Sequence, residues 1–215
     1  GLTVIDAGSY TTCDPGSEDW VIRAREITLD RPEDLGVARD ATLRFKGLPV
    51  LYTPYLDFPL SGRRKSGLLP PLVGSSDKRG FELVVPYYWN IAPERDATLR
   101  VGELTKRGPL LGGEYRYLMP TGKGNLQFEV IPHDQKDGGT RGTGQLQHRQ
   151  TFAGSWWTTV DAAVVSDDRY VEDLGTSLKE TADQFLEQRV DVGTSGSGCS
   201  ALGRLQHYTT VDPDL

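Results

Sequence analysis

Residues 97–101 read ATLRV and residues 126–130 read LQFEV. In an extended chain successive side chains point to opposite faces. Ala97, Leu99 and Val101 therefore share one face and Thr98 and Arg100 the other, while Leu126, Phe128 and Val130 oppose Gln127 and Glu129. The same period of two, interrupted by turn residues, recurs from Ser66 onward in about nine runs of roughly ten residues. These lie near 66–75, 80–89, 97–106, 110–119, 124–132, 143–152, 155–166, 184–194 and 199–209. Upstream, WVIRAREITL at 20–29, VARDATLRFK at 37–46 and LPVLYTPYL at 48–56 read as three more strands, separated by DRPEDLG and a tight KG turn. Helical periodicity is nearly absent; a short, polar, glycine-flanked candidate lies around Leu178 to Phe185. The chain is predicted to be all-β.

Composition narrows the function classes. With 37% hydrophobic and 25% charged residues the chain is too well mixed to be disordered or collagen-like, and its net charge of -6 argues against a general nucleic-acid binder. No stretch approaches the roughly 18 apolar residues of a membrane helix. A transmembrane strand needs only about ten alternating residues, so the same composition suits an outer-membrane barrel. Cys13 and Cys199 lie far apart without C-x-x-C spacing, which leaves one long-range disulfide or two unpaired thiols. The opening GLTVIDAGSY has no basic or long apolar segment, so a signal for export is expected upstream of it.

Alternation alone fits two architectures. In a soluble sandwich the apolar faces meet each other; in a membrane barrel they face lipid while the polar faces line a wet lumen. The connections favour the barrel. Those near 90–96, 119–123, 152–155 and 194–199 are short, and the two long ones, near 132–143 and 166–184, fall on the opposite end, as in outer-membrane barrels with short periplasmic turns and longer extracellular loops. Tyr87-Tyr88-Trp89, Tyr115 with Tyr117, and Trp156-Trp157 stand near strand ends, where an interfacial aromatic girdle would sit, although any one cluster taken alone reads better as the aromatic core of a sandwich.

Catalytic signatures are lacking: the sequence has no G-x-S-x-G, Walker A, G-x-G-x-x-G, H-E-x-x-H or EF-hand string. His133, His148 and His207 are scattered, and no metal site or cofactor is implied. Asp167-Asp168 and Glu172-Asp173 flank Arg169 and Tyr170 and are read as a solvated loop in preference to a cation site. Arg63-Arg64-Lys65 is the one basic triplet, a candidate for phosphate contact set within what reads as an exposed link.

Several long strings carry a resemblance. YTTC at 10–13, RFKGLPVLYTPYLDFPL at 44–60, RRKSGLLPP at 63–71, VPYYWNIAPERDATL at 85–99, the DDRYVEDLGTSL loop and GRLQHYTTVDP near the end resemble the LptD (OstA, Imp) family of lipopolysaccharide-assembly proteins. The resemblance runs through most of the chain. It implies that residues 1–60 are the last part of a periplasmic β-jelly roll, 61–65 a hinge, and 66–215 the first strands of an outer-membrane β-barrel, incomplete here. It further implies a transporter without nucleotide chemistry, which passes lipopolysaccharide from an LptA-like periplasmic bridge protein into outer-membrane lipid, with an LptE-like lipoprotein as plug. Pro71 and Pro86 match the family's lateral-gate prolines, Cys13 matches a cysteine whose disulfide partner lies outside this chain, and Cys199 matches none. On the roll's apolar face, Ile22, Ala24, Leu43 and Phe45 are the candidates for acyl-chain contact, with an ordinary packed core as the alternative. The competing function is a soluble all-β carbohydrate-binding or adhesin-like module with Trp156, Trp157 and Tyr170 as a sugar platform.

Overall fold

The structure, a computed structural model, describes residues 1–11, 13–14, 19–61, 63–152, 154–175, 185–196 and 198–211. The proposed helix at 178–184 lies outside the described residues, and Phe185 opens a strand. The described residues form antiparallel sheets and one short helix, as the alternation requires, and divide into two compact units, Gly1–Lys65 and Ser66–Leu215.

The first unit is a four-stranded antiparallel meander in the order β1 (Leu2–Tyr10), β2 (Trp20–Asp30), β3 (Leu35–Phe45) and β4 (Leu48–Pro59). The KG turn between β3 and β4 has positive φ at both residues, 47° at Lys46 and 81° at Gly47, the geometry that matches the twist of a two-residue hairpin. Ala24, Ala38 and Ala41 are buried on one face with Ile22, Ile27, Leu56 and Phe58 packed on them. Gly36 lies under the Phe58 ring, where a Cβ would come within 2.3 Å, so no larger residue fits beneath that ring. Ile22 and Ala24 share this face with Ile27, and Ala38 shares it with Ala41, so the even–odd alternation reverses between them. The reversal coincides with positive φ at Ala7 (54°) and Asp40 (48°), and with gaps in the ladders around Arg25, Asp40 and Pro54. A kink therefore crosses the sheet. Asp40 anchors it by accepting the Tyr52 hydroxyl at 2.6 Å and pairing with Arg25 at 2.7 Å.

The second unit is a ten-stranded antiparallel sheet built from β5 (Gly67–Leu68), β6 (Leu72–Ser76), β7 (Gly80–Ala92), β8 (Arg95–Leu104), β9 (Gly108–Met119), β10 (Gly122–Ile131), β11 (Arg141–Thr151), β12 (Trp156–Val165), β13 (Phe185–Ser195) and β14 (Ser200–Thr210). Each strand from β7 to β14 pairs with its sequence neighbours, and β5 and β6 both pair with β7. The single strand expected at 66–75 is therefore two short pieces separated at 69–71. Helix α1 (Tyr170–Leu174) interrupts the connection between β12 and β13.

Candidate functional site

The second sheet segregates its two faces most sharply in β7, β8 and β10, and less so in β11, whose apolar side carries His148 and Gln150, and in β14, whose polar side carries Leu202 and Tyr208. In β7, Phe81, Leu83, Val85, Tyr87, Trp89 and Ile91 are all exposed on one side. Register carries this side across the sheet: Val85 lies opposite Val101, Val101 opposite Leu111, and Leu111 opposite Val130. Farther along the sheet, Val190 lies opposite Val160 and Leu205. Val101 is 59% exposed and Leu205 76%. Burying one such side chain is worth about 1.5–3 kcal/mol, stabilisation that water cannot supply to this row and lipid can. Gly113 belongs to the same side, with the Phe128 ring 2.5 Å from where its Cβ would sit. Trp89, Tyr115, Tyr117 and Trp156 gather on this side toward the short connections at 93–94, 120–121 and 152–155. The opposite side carries Arg100, Glu114, Arg116, Gln127, Glu129, Asp191 and Arg204, with Arg116 paired to Asp96 at 2.8 Å and Arg204 to Asp191 at 2.7 Å.

At the end bearing the long connections, the polar side is roofed. Tyr170, Val171 and Leu174 of α1 are buried, and Tyr170 and Leu174 pack with Val84, Leu104, Leu110 and Ile131. A buried ionic network holds the helix there. Arg107, fully buried, reaches Asp134 at 3.1 Å, Asp137 at 2.6 Å and Asp173 at 3.4 Å. Arg141 pairs with Asp167 at 2.6 Å and Asp173 at 3.0 Å, and lies 5.8 Å from the centre of the Tyr170 ring. Arg79 donates to the Leu174 carbonyl at 2.9 Å, and Lys78 to the Glu172 carboxylate at 2.8 Å. Burial raises the carboxyl pKa of Asp167 and Asp173, but hydrogen bonds from Arg141 outweigh it and hold both below the ordinary range. The acidic loop is thus only partly solvated: Asp168 and Glu172 are exposed, whereas Asp167 is held by Arg141 at the start of β11 and Asp173 by Arg141 and by Arg107 in the β8–β9 turn. The local signal is Tyr170, Val171 and Leu174, an apolar i, i+1, i+4 set inside an acidic stretch. Beneath α1 lies a cavity of about 180 Å³ lined by Arg100, Gln127, Glu129, Gln145, Tyr170 and Leu174 among others.

The prolines occupy one seam. Between the pairs Leu68–Tyr87 and Leu72–Val84, the first strand carries Leu69, Pro70 and Pro71 against Val85 and Pro86, a bulge. The Pro86 carbonyl accepts from the Leu69 amide at 2.9 Å. Donor and acceptor of one strand residue point the same way, so the hydrogen bond that Pro86 cannot donate is also missing toward the first strand, and its pairing with Arg100 of β8 loses nothing. Pro71 lies in the break rather than inside a strand, because three residues there face two.

In the first unit, Ile22 and Ala24 join the apolar cluster, Leu43 lies opposite Ile22, and Phe45 is 51% exposed with Lys46 over its ring. Arg63 pairs with Asp34 at 3.0 Å and Lys65 with Asp57 at 2.6 Å, so two charges of the basic triplet are already engaged, and Arg64 also has a partner. Cys13 and Cys199 are free thiols. The hydrogen bond with the Thr11 side chain lowers the Cys13 thiol pKa, and Cys199 stands exposed just before β14. Among the described residues no group of His, Cys, Asp and Glu is arranged to hold a metal ion, and no helix is long and apolar enough to cross a membrane.

Residues 139–215 match the family described as LptD, LPS transport system D. Across 99% of its length the chain is 42% identical to the LPS-assembly protein LptD of Nitrosococcus oceani, covering 29% of that protein. It is 41% identical to that of Alkalilimnicola ehrlichii over 96% of the chain and 27% of the relative, and 40% identical to that of Methylococcus capsulatus over 98% of the chain and 20% of the relative. The chain thus spans less than a third of the length of these curated relatives. With an all-β, antiparallel fold and near-complete coverage by such relatives, it belongs to the LptD family of LPS-assembly proteins.

Proposed function

We propose that this chain is the part of an outer-membrane lipopolysaccharide exporter in which a periplasmic roll passes into the membrane barrel. Residues 1–60 are the end of the β-jelly roll, 61–65 a hinge, and 66–215 the first strands of the barrel, whose polar side lines the lumen and whose apolar side meets outer-membrane lipid. Lipopolysaccharide arrives from an LptA-like bridge protein, an LptE-like lipoprotein plugs the finished barrel, and the glycolipid leaves sideways into the outer leaflet through a gate beside the first strand. The observation that carries this reading is the exposed apolar side running from β7 to β14. A soluble carbohydrate-binding sandwich would bury that side against another sheet. In the first unit, Ile22, Ala24, Leu43 and Phe45 offer an apolar path to acyl chains. Arg63, Arg64 and Lys65 remain candidates for phosphate contact only by exchanging partners, since Asp34 and Asp57 already hold two of them.

The test uses the full-length protein with its plug, reconstituted in vesicles and charged with lipopolysaccharide through the bridge protein. A crosslink joining the first and last barrel strands is expected to stop export while leaving loading of the roll intact. Unchanged export through a locked seam contradicts the lateral route.

A further inference from the structure

Three arginines on the polar side, Arg116, Arg189 and Arg204, are each neutralised by a carboxylate within 4 Å. Arg100 is not: among the described residues it has no ion pair, and its Nε is buried without a hydrogen-bond partner. A glycine gives it room. Gly112 is opposite Arg100 in the ladder, and a Cβ there would sit 3.2 Å from that Nε. On the other side of Gly112 stands Glu129, which accepts the Tyr170 hydroxyl at 3.3 Å. Arg100 and Glu129 therefore flank a glycine gap two strand spacings wide, about 10 Å. The cavity of about 180 Å³ over this gap has amides from Gln127 and Gln145 along its floor, and Val171, Leu174 and Leu186 give it an apolar roof and wall.

From this geometry we infer that the cavity beneath α1 is a resting site for one sugar unit bearing an acidic substituent, on the polar part of the exported glycolipid. The guanidinium of Arg100 takes the acidic group, phosphate or carboxylate, since a planar fork of N–H donors fits either oxyanion. Glu129 accepts sugar hydroxyls, and the apolar roof covers the ring's C–H face. The site rests on the export reading above and names the substrate group that Arg100 contacts in the lumen.

The experiment places a photoreactive residue at Gln145, on the cavity wall, and another at Ile22 in the roll, in the full-length protein with its plug during transport in vesicles. Folded yield is measured on the same samples. Lipopolysaccharide is expected to crosslink at both positions. Arg100→Gln should cut the Gln145 yield about tenfold and leave the Ile22 yield unchanged, and Arg100→Lys should retain most of it. Gly112→Ala, which crowds Arg100 without removing its charge, should give an intermediate loss. Glycolipid stripped of sugar phosphate and glycolipid lacking the acidic sugar's carboxylate are then compared in the unmodified protein, and the one that reproduces the tenfold loss identifies the bound group. Equal yields in Arg100→Gln and wild type, a loss as deep in Arg100→Lys, no loss with either stripped glycolipid, or no capture at Gln145 while Ile22 captures, each overturns the site and leaves the export reading standing. Absence of capture at both positions overturns the export reading itself.

Discussion

Val101 and Gln127 show how much one position on a strand decides. Val101 projects from the apolar side at 59% exposure, whereas Gln127 lines the roofed cavity and donates to Glu114 at 3.2 Å. A charge on the lipid side near the bilayer midplane costs about 2–4 kcal/mol and a lumen position tolerates it. Val101→Arg is therefore expected to lower the amount of assembled full-length protein in the outer membrane, and Gln127→Arg to leave it near wild type. Quantifying both variants by heat-modifiable migration checks the assignment; equal losses would refute it. Arg107 and Asp134 form the other decisive pair, since both side chains are fully buried. Removing one partner of an isolated buried pair costs about 3–5 kcal/mol, an upper bound here because Arg141 also stands 3.5 Å from Asp134. Arg107→Leu should destabilise the loop end by that order, and the double variant Arg107→Leu, Asp134→Leu by clearly less. A double-mutant cycle on thermal unfolding of the full-length protein reads the coupling.

Helix α1 is too short to stand alone, because a single turn pays the nucleation cost without propagation. Its order comes from Tyr170 and Leu174 in the apolar cluster and from Asp167 and Asp173 on Arg141. Since the folded-state pKa values of these two carboxyls are lowered, their contribution is present above the unfolded value near 3.9 and is lost as pH falls through the lower folded values. Hydrogen exchange at 170–174, corrected for the intrinsic pH dependence, is expected to stay protected from pH 8 to about 5 and to lose protection only below about pH 4. Release near pH 6 would exclude these carboxyls as the hold. The first strand is the converse case, an element kept weak. Pro86→Val supplies a donor facing Leu69, worth roughly 0.5–1.5 kcal/mol in water and more where lipid excludes water. Together with Pro71→Val it should slow export by up to about tenfold, while folding and plug binding persist. Export unchanged in the double variant would exclude the prolines from the gate.

Over the whole molecule, the elements that announce themselves locally are those whose two faces differ. β8 and β10 follow from ATLRV and LQFEV alone. β1 does not: LTVIDAGSY lacks regular alternation, is exposed along nearly its whole length, and is a strand only because β2 pairs with it. The kink at Ala7 and Asp40 is silent in the sequence for a similar reason, since the Tyr52 and Arg25 contacts that hold Asp40 at positive φ are made by other strands. Arg107, Arg141 and the four aspartates around them are dispersed over 67 positions, 107–173, and only the sheet brings them together. Cys13 belongs to this scale as well, because the export reading expects its covalent partner elsewhere in the full-length protein. Its lowered thiol pKa, set first by the Thr11 hydrogen bond, favours exchange by raising the thiolate fraction. It is expected to resist alkylation in the assembled full-length protein and to react after reduction. Labelling without reductant would show that it stays free.

The ionic cluster around Arg107 also sets an order of events. Its acidic partners come from 134, 137 and 173, and Arg141 joins from the start of β11. Hairpins such as β7–β8 and β9–β10 close locally, and contacts of large sequence separation follow them. As the chain is extended, Arg107, in its three-residue turn, meets Asp134 and Asp137 first, and its third carboxylate, Asp173, comes only with the segment after β12. On the export reading the roof over the polar side is therefore completed late, and an intermediate stalled before β12 would hold Arg107 and Arg141 with Asp134 and Asp137 alone, the carboxylates of Asp167 and Asp173 still to come.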